Sequence, residues 1–302
     1  MDGSAAHQPV LPGEVVQLLQ PATAKVLLDC TVGLGGHSEL LLSAAPQDAL
    51  LIGIDLDEEN LRQAKVRLAR FAGRVRLFAA NFGDVKDVLA EVGVAHVDAL
   101  LADLGVSSPH LDQPERGFSF QNDGPLDMRL GPTQQETTAA DLVNTLAEEP
   151  LANLIFEYGE ERYSRRIARA IVQARLAKRI ERTLELAQIV SGAIPGPARY
   201  ARHGVHPATR TFQALRIAVN DEMGNLRRLL EALPEALSVG GRAAIISFHS
   251  LEDRPVKHTL GDWAATGKAK LLTKKPLIAS DAEQSANPRS RSAKLRGVQR
   301  IE

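Results

Sequence analysis

An apolar run, Val26-Leu27-Leu28, is followed at once by Asp29 and then by a glycine-rich turn, Gly33-Leu34-Gly35-Gly36-His37-Ser38. The run is short enough for a buried strand, and Glu39-Leu40-Leu41-Leu42-Ser43 beyond the turn opens a helix. A strand, a glycine turn and a helix form the ligand-binding unit of open α/β sheets. Glycine lets the backbone pass close beneath a ligand where a Cβ would intrude. The helix start adds unpaired N–H groups.

The pattern repeats. Leu50-Leu51-Ile52-Gly53-Ile54 is a second buried-strand run and ends in Asp55, about 20 residues past the glycines, where ribose-binding acids stand in nucleotide folds. Val75 to Ala80 and Val97 to Ala102 are a third and a fourth strand, ending at Phe82 and Asp103. Helical spacing fills the intervals at Glu58 to Ala72 and Asp84 to Val92. This alternation predicts an α/β fold with a parallel sheet, and ligands bind at the carboxyl ends of such strands. Asp29, Asp55, Phe82 and Asp103 all fall there. Phe82 suits either an adenine-covering or a core position. The turn, Gly33-x-Gly35-Gly36, departs from G-x-G-x-x-G, and Asp29 is ill placed for a pyrophosphate. A cofactor with a cationic amino-acid end tolerates that acid, which favours S-adenosylmethionine over NAD.

After Asp103 the loop Leu104-Gly105-Val106-Ser107-Ser108-Pro109-His110 is small and polar, suited to admitting a substrate group. Glu115 to Phe120 and Gly124 to Leu130 read as loops whose aromatics either stack on a base or fill the core. From Thr133 to Arg202 only helices are expected, at 139–146, 151–158, 162–177 and 183–194. This predicts a helical domain, 131–204, inserted into an α/β domain of 1–130 and 205–302. Arg162, Arg165, Arg166 and Arg169 share one face of the third helix, either for phosphates or as a solvated face. A long helix opens at His206. A fifth strand, Ala243 to Phe248, resumes the sheet and ends at His249, and Ser250 with Asp253 reads as a capping box for the next helix.

Net charge is −1 over 302 residues, so any nucleic-acid signature must be local. It lies in the tail: Arg254 to Glu302 holds 11 Lys or Arg against 4 Asp or Glu, net +7 (11 − 4). Arg289, Arg291, Lys294 and Arg296 concentrate it, on a segment that either wraps phosphates or is a disordered basic tail. The single cysteine, Cys30, excludes a disulfide framework, and no cysteine or histidine cluster offers a metal site. His7, in a proline-rich lead-in, either touches substrate or lies in solvent. With no basic, apolar leader and no membrane-length apolar run, a cytoplasmic protein is expected, and the oligomeric state is left open. On the residues alone an oxidoreductase using NAD, a non-catalytic RNA-binding module and a methyltransferase for DNA or protein stand as rivals.

Eight stretches, in order, resemble the bacterial small-subunit ribosomal RNA cytosine-N4 methyltransferase family. They are His7 to Leu11, Asp29 to His37, Asp103 to Ser108, Glu115 to Phe120, Gly124 to Arg129, His206 to Glu222, Phe248 to Arg254 and Asn287 to Arg296. The resemblance implies a Rossmann-like S-adenosylmethionine-dependent enzyme with an inserted helical domain. It also implies a cytosine in the decoding region of 16S rRNA, within the small ribosomal subunit, as the target. It puts Gly35, Gly36 and His37 against the methionine part of the cofactor, Asp55 at the ribose and Phe82 beside the adenine, and Gly33 is a further expected cofactor-binding residue. Asp103 and His110 fall near the cofactor or the reacting group. Asp103 is the expected catalytic acceptor for the cytosine amino group.

Overall fold

The computed structural model describes residues 8–196 and 206–302. His7 therefore lies outside the described residues. The chain divides into two compact units, Met1–Gly105 with Met223–Glu302, and Val106–Glu222.

The first unit is Rossmann-like. Its strands are β1 (Val26–Asp29), β2 (Leu50–Asp55), β3 (Val75–Ala79), β4 (Val97–Asp103), β5 (Leu237–Ser247), β6 (Ala269–Leu271) and β7 (Lys294–Arg300). They form one sheet in the order β3-β2-β1-β4-β5-β7-β6. The first five run parallel, as expected. The sheet as a whole is mixed, because β7 runs antiparallel to both β5 and β6. Register sets Asp29 beside Gly53 and Leu101, Asp55 beside Ala79, and Asp103 beside Ile246. Three carboxylates thus finish neighbouring strands on one edge.

Helices cover both faces. Helix α1 (Pro12–Leu19) and α2 (Gly36–Ala44) bury Val15, Leu19, Leu41 and Leu42 against Leu27, Leu51, Leu101 and Leu295. On the other face, residues of α4 (Val85–Val92), α11 (Glu222–Ala236) and α12 (Ser250–Ala265) meet Leu28, Ile52, Leu100 and Ile245. Each fully buried leucine is worth roughly 1.5–3 kcal/mol, so the apolar strand runs seen in the sequence are what hold this sheet. Helix α3 (Glu58–Arg67) is capped by Asp57, whose side chain accepts the Glu59 N–H. It is shorter than the 58–72 span expected, because the chain tightens to a 3₁₀ turn at Ala69–Phe71.

The second unit holds α5 (Ser108–Asp112), α6 (Ala139–Thr145), α7 (Glu148–Gly159), α8 (Ser164–Ala177), α9 (Thr183–Ala193) and α10 (Thr209–Val219). It is wider than the 131–204 insertion expected. Phe118, Leu126 and Met128, from the segments expected to be loops, share its core with Val143, Ile155, Ile171, Phe212 and Leu215. The loop aromatics take the core alternative: Phe120 packs edge-on against Phe212 at 4.7 Å between ring centres. The two glycine loops interlock, since a Cβ on Gly124 would stand 1.7 Å from the Pro114 carbonyl oxygen. The single long helix expected from His206 is instead two, α10 and α11, broken at Asn220 and at Asp221 with φ of 45°.

The basic tail contributes β6, helix α13 (Asp281–Ala286) and β7, so it is neither disordered nor a loose wrap. The capping box of α12 sits one residue earlier than expected. His249 is the N-cap and Glu252 its reciprocal partner, which leaves Asp253 free for the tail. Among the described residues no helix is long and apolar enough to cross a membrane.

Candidate active site at the carboxyl edge of the sheet

The turn after β1 is built to a tight specification. Asp29 is fully buried; its Oδ1 accepts the Thr31 N–H at 3.1 Å and its Oδ2 the Ser38 hydroxyl at 2.6 Å. The Thr31 hydroxyl in turn accepts the Asp103 N–H at 2.6 Å, tying the end of β4 to the loop after β1. Gly33 has a φ of +52°, and a Cβ there would meet nothing closer than 4.0 Å, so the space above it is open. Gly35, at φ +80°, is the N-cap of α2, and its Cβ would press on Ala64 of α3 at 3.4 Å. Gly36 lies beneath Pro9. The three glycines therefore do different things: Gly33 leaves room, Gly35 turns the chain against α3, and Gly36 admits the lead-in.

Asp55 faces this turn. Its Oδ2 accepts the Gly33 N–H at 2.7 Å and its Oδ1 the Asp57 N–H at 2.8 Å. Close approach of the two loops depends on Gly53, where a Cβ would stand 2.6 Å from Val32 and 2.7 Å from Leu77. Thr31, Ser38 and Gly53 were not singled out in the sequence. Only their positions beside the motif, one of them inside a strand, could have marked them.

His37 and Asp103 complete the edge. His37 is 7 % exposed, and its Nε2 stands 3.5 Å from Asp103 Oδ2, out of line for a hydrogen bond. Both ring nitrogens of His37 and the Oδ1 of Asp103 are buried without a partner among the described residues. A buried polar atom left unpaired costs about 1–3 kcal/mol, so a cluster of three marks a place where a ligand supplies the missing bonds. Burial pushes the Asp29 carboxyl up to about 6, against hydrogen bonds from Ser38 and Thr31 and the attraction of His37. The repulsion of Asp103 adds to the rise.

The other expected residues are dispersed. Phe82 opens a 3₁₀ turn after β3 and packs partly buried on the sheet core. His110 belongs to the second unit, where it is 2 % exposed, tilts against Phe118 at 5.1 Å and lies 3.1 Å from the Ser107 hydroxyl. Of the four basic tail residues, Arg296 is 8 % exposed and grips Asp253 through two bonds of 2.7 and 3.2 Å. Lys294 reaches the same carboxylate at 3.4 Å. Arg289 is half-buried and Arg291 exposed. On α8 and just before it, Arg162, Arg165, Arg166 and Arg169 are exposed as a group, with Arg169 paired to Glu148.

Comparison with known proteins turns this geometry into a family. The model of the MraW methylase family matches residues 4–301. The chain belongs to that family. It is 50 % identical over 311 residues to ribosomal RNA small subunit methyltransferase H of Citrifermentans bemidjiense, covering 98 % of both chains. It is equally similar to the protein of that name from Geobacter sulfurreducens, 50 % over 311 residues and 98 and 99 % of the two chains. The one from Trichormus variabilis is 52 % identical over 295 residues, 98 % of this chain and 92 % of the relative. A methylase of this family uses S-adenosylmethionine, and the edge fits it. Gly33 leaves open space, and the unpaired atoms of His37 and Asp103 await polar partners. The carboxylates at this edge suit a ligand that carries an ammonium and a sulfonium.

Proposed function

We propose that this chain methylates the 4-amino nitrogen of a cytosine in the decoding region of 16S rRNA, using S-adenosylmethionine, with Asp103 as the catalytic acceptor. S-adenosylmethionine supplies an electrophilic methyl group when bound. The observation that carries the reading is the unpaired, buried Oδ1 of Asp103 at the end of β4, in a chain that matches the methylase family from end to end.

The cytosine amino group is a weak nucleophile because its lone pair is shared with the ring. Asp103 offsets this by accepting one amino N–H, which returns electron density to nitrogen and gives the released proton a place to go. The backbone bond from the Asp103 N–H to the Thr31 hydroxyl fixes the carboxylate relative to the turn after β1. Rate then comes from holding nitrogen and methyl in line with water excluded. His37 and Asp29 set the polarity of the wall behind the site. Gly33, Gly35 and Gly36 shape the turn for the methionine end, Asp55 takes the ribose and Phe82 the adenine, and His110 is assigned, on the resemblance, near the cofactor or the reacting group. The target base must leave its stack to enter. The exposed Arg291, with Arg289 and the arginines of α8, is assigned to the RNA backbone, where each phosphate contact adds salt-dependent affinity.

The test is methyl transfer from labelled S-adenosylmethionine to naked 16S rRNA and to assembled small subunits, with the modified nucleotide mapped by mass spectrometry. N4-methylcytosine in the decoding region is the expected product. Cofactor binding with no label on either substrate would overturn the acceptor. Asp103→Asn retaining full turnover and full cofactor affinity would overturn the role of Asp103.

A further inference from the structure

Leu11 is a bulky residue in the left-handed region, with φ 52° and ψ 44°, and it is fully buried. Non-glycine residues hold that conformation only where their surroundings impose it, and such outliers gather at functional sites. Here the constraint comes from the far end of the chain. The Leu11 N–H donates to Glu283 Oε1 at 2.7 Å, and the Asn287 side chain donates to the Gln8 carbonyl at 3.2 Å. Between these two ties lies Pro9, whose ring covers Gly36; a Cβ on Gly36 would sit 3.4 Å from Pro9 Cδ. Val10 and Leu11 pack in one cluster with Leu41 and Leu42 of α2.

We propose that Glu283 and Asn287 are positioning residues for cofactor binding: they clasp residues 8–11 across the first turn of α2 and so fix the glycine turn and His37. The proposal rests on the cofactor reading above. The turn is in van der Waals contact on two sides, with Gly35 against Ala64 of α3 and Gly36 beneath Pro9. His37 follows directly, with both ring nitrogens buried and unpaired. A strap that slackens frees Gly36 on one side, and the orientation of His37 is lost with it. Asn287 lies in the tail segment expected to wrap phosphates, and the clasp gives this side chain an internal task.

Glu283→Ala removes the acceptor, Glu283→Gln keeps a neutral one, and Asn287→Ala loosens only the second tie. Three readouts apply: calorimetric affinity for S-adenosylhomocysteine, the split of KM for S-adenosylmethionine against kcat, and amide hydrogen exchange of the ligand-free protein. Glu283→Ala is expected to weaken S-adenosylhomocysteine about tenfold and to raise KM with kcat unchanged. It should also speed exchange both at Val10 and Leu11 and at 35–38. Asn287→Ala should do the same more weakly, and Glu283→Gln should stay within about twofold of wild type. Faster exchange at Val10 and Leu11 with unchanged exchange at 35–38 and unchanged affinity would overturn the proposal. Should wild type itself bind no S-adenosylhomocysteine, the cofactor reading fails. The clasp is then decided by exchange alone: coupled loss of protection at 35–38 supports it, and independence overturns it.

Discussion

At the scale of single residues, Asp29 carries a cost in stability. An aspartate normally titrates at 3.8; in the fold burial raises this to about 6, while the unfolded chain keeps the ordinary value. The folded state therefore holds the proton more tightly between those limits. Stability on this account falls as pH rises through the window, and the full cost, about 3 kcal/mol, is present above it. Asp29→Asn keeps an oxygen for the Thr31 N–H and can donate to the Ser38 hydroxyl. It should raise stability at pH 7.5 by about 1–3 kcal/mol, an advantage that shrinks as pH is lowered towards 5. The same change removes a negative charge from a pocket for a cationic cofactor. Affinity for S-adenosylmethionine should fall about tenfold, roughly 1.4 kcal/mol. Thermal unfolding and calorimetric titration across pH check both. A variant that is less stable at every pH would contradict the assigned cost of burial.

Elements are held by polar residues that hydropathy alone misplaces. Strand β7 carries a buried arginine, so its sequence, Lys294-Leu295-Arg296-Gly297-Val298-Gln299-Arg300, reads as a basic tail rather than a strand. Its partner, Asp253, lies 43 residues earlier on α12. Burial alone would raise the Asp253 carboxyl, but Arg296 and Lys294 outweigh it and hold the group below the usual range. Loss of one member of this partly buried pair costs about 1–3 kcal/mol, less than in a dry interior because Asp253 keeps some solvent and Lys294. Arg296→Ala should lower the melting temperature sharply whatever its effect on RNA. Arg291→Ala, at an exposed site, should stay within about 0.5 kcal/mol of wild type in stability and reduce the salt dependence of RNA binding by about one phosphate.

The break between α10 and α11 follows the same logic. The Asn220 amide donates to the Met128 and Arg216 carbonyls, both at 2.8 Å, and its oxygen accepts the Leu130 N–H at 2.9 Å. Asn220→Asp cannot donate to Met128, so it should cost about 2–3 kcal/mol, close to Asn220→Ala, when followed by scanning calorimetry. The sequence predicts one long helix from His206, because propensity does not reveal that the Asn220 side chain finds a carbonyl 92 residues away.

For the whole molecule, the parallel half of the sheet was legible and the antiparallel half was not. Val26 to Asp29, Leu50 to Asp55 and, past Asp98, Ala99 to Asp103 are runs without charge that end in acids, because strands buried on both faces leave no polar alternation. Asp29, Asp55 and Asp103 were legible for the same reason, whereas Thr31, Ser38 and Gly53 act through distances that no spacing rule encodes. Strand β5 begins at Leu237 and runs through Gly240 and Gly241, ahead of the expected start at Ala243. Its far neighbour, β7, binds it along Arg242 to Ser247 and carries β6 on its other side. The tail therefore completes the sheet. A chain ending at Thr266 would keep five parallel strands and the acidic edge but would leave Ala243, Ala244, Ile245 and Ile246 on a strand whose outer edge is unpaired. An exposed apolar edge of this kind templates association. Such a truncation is expected to accumulate as insoluble protein, or as aggregates by light scattering, with no cooperative unfolding transition. A soluble, cooperatively folding truncation that still bound S-adenosylhomocysteine would mean that β6 and β7 are an accessory to the sheet rather than its closing edge.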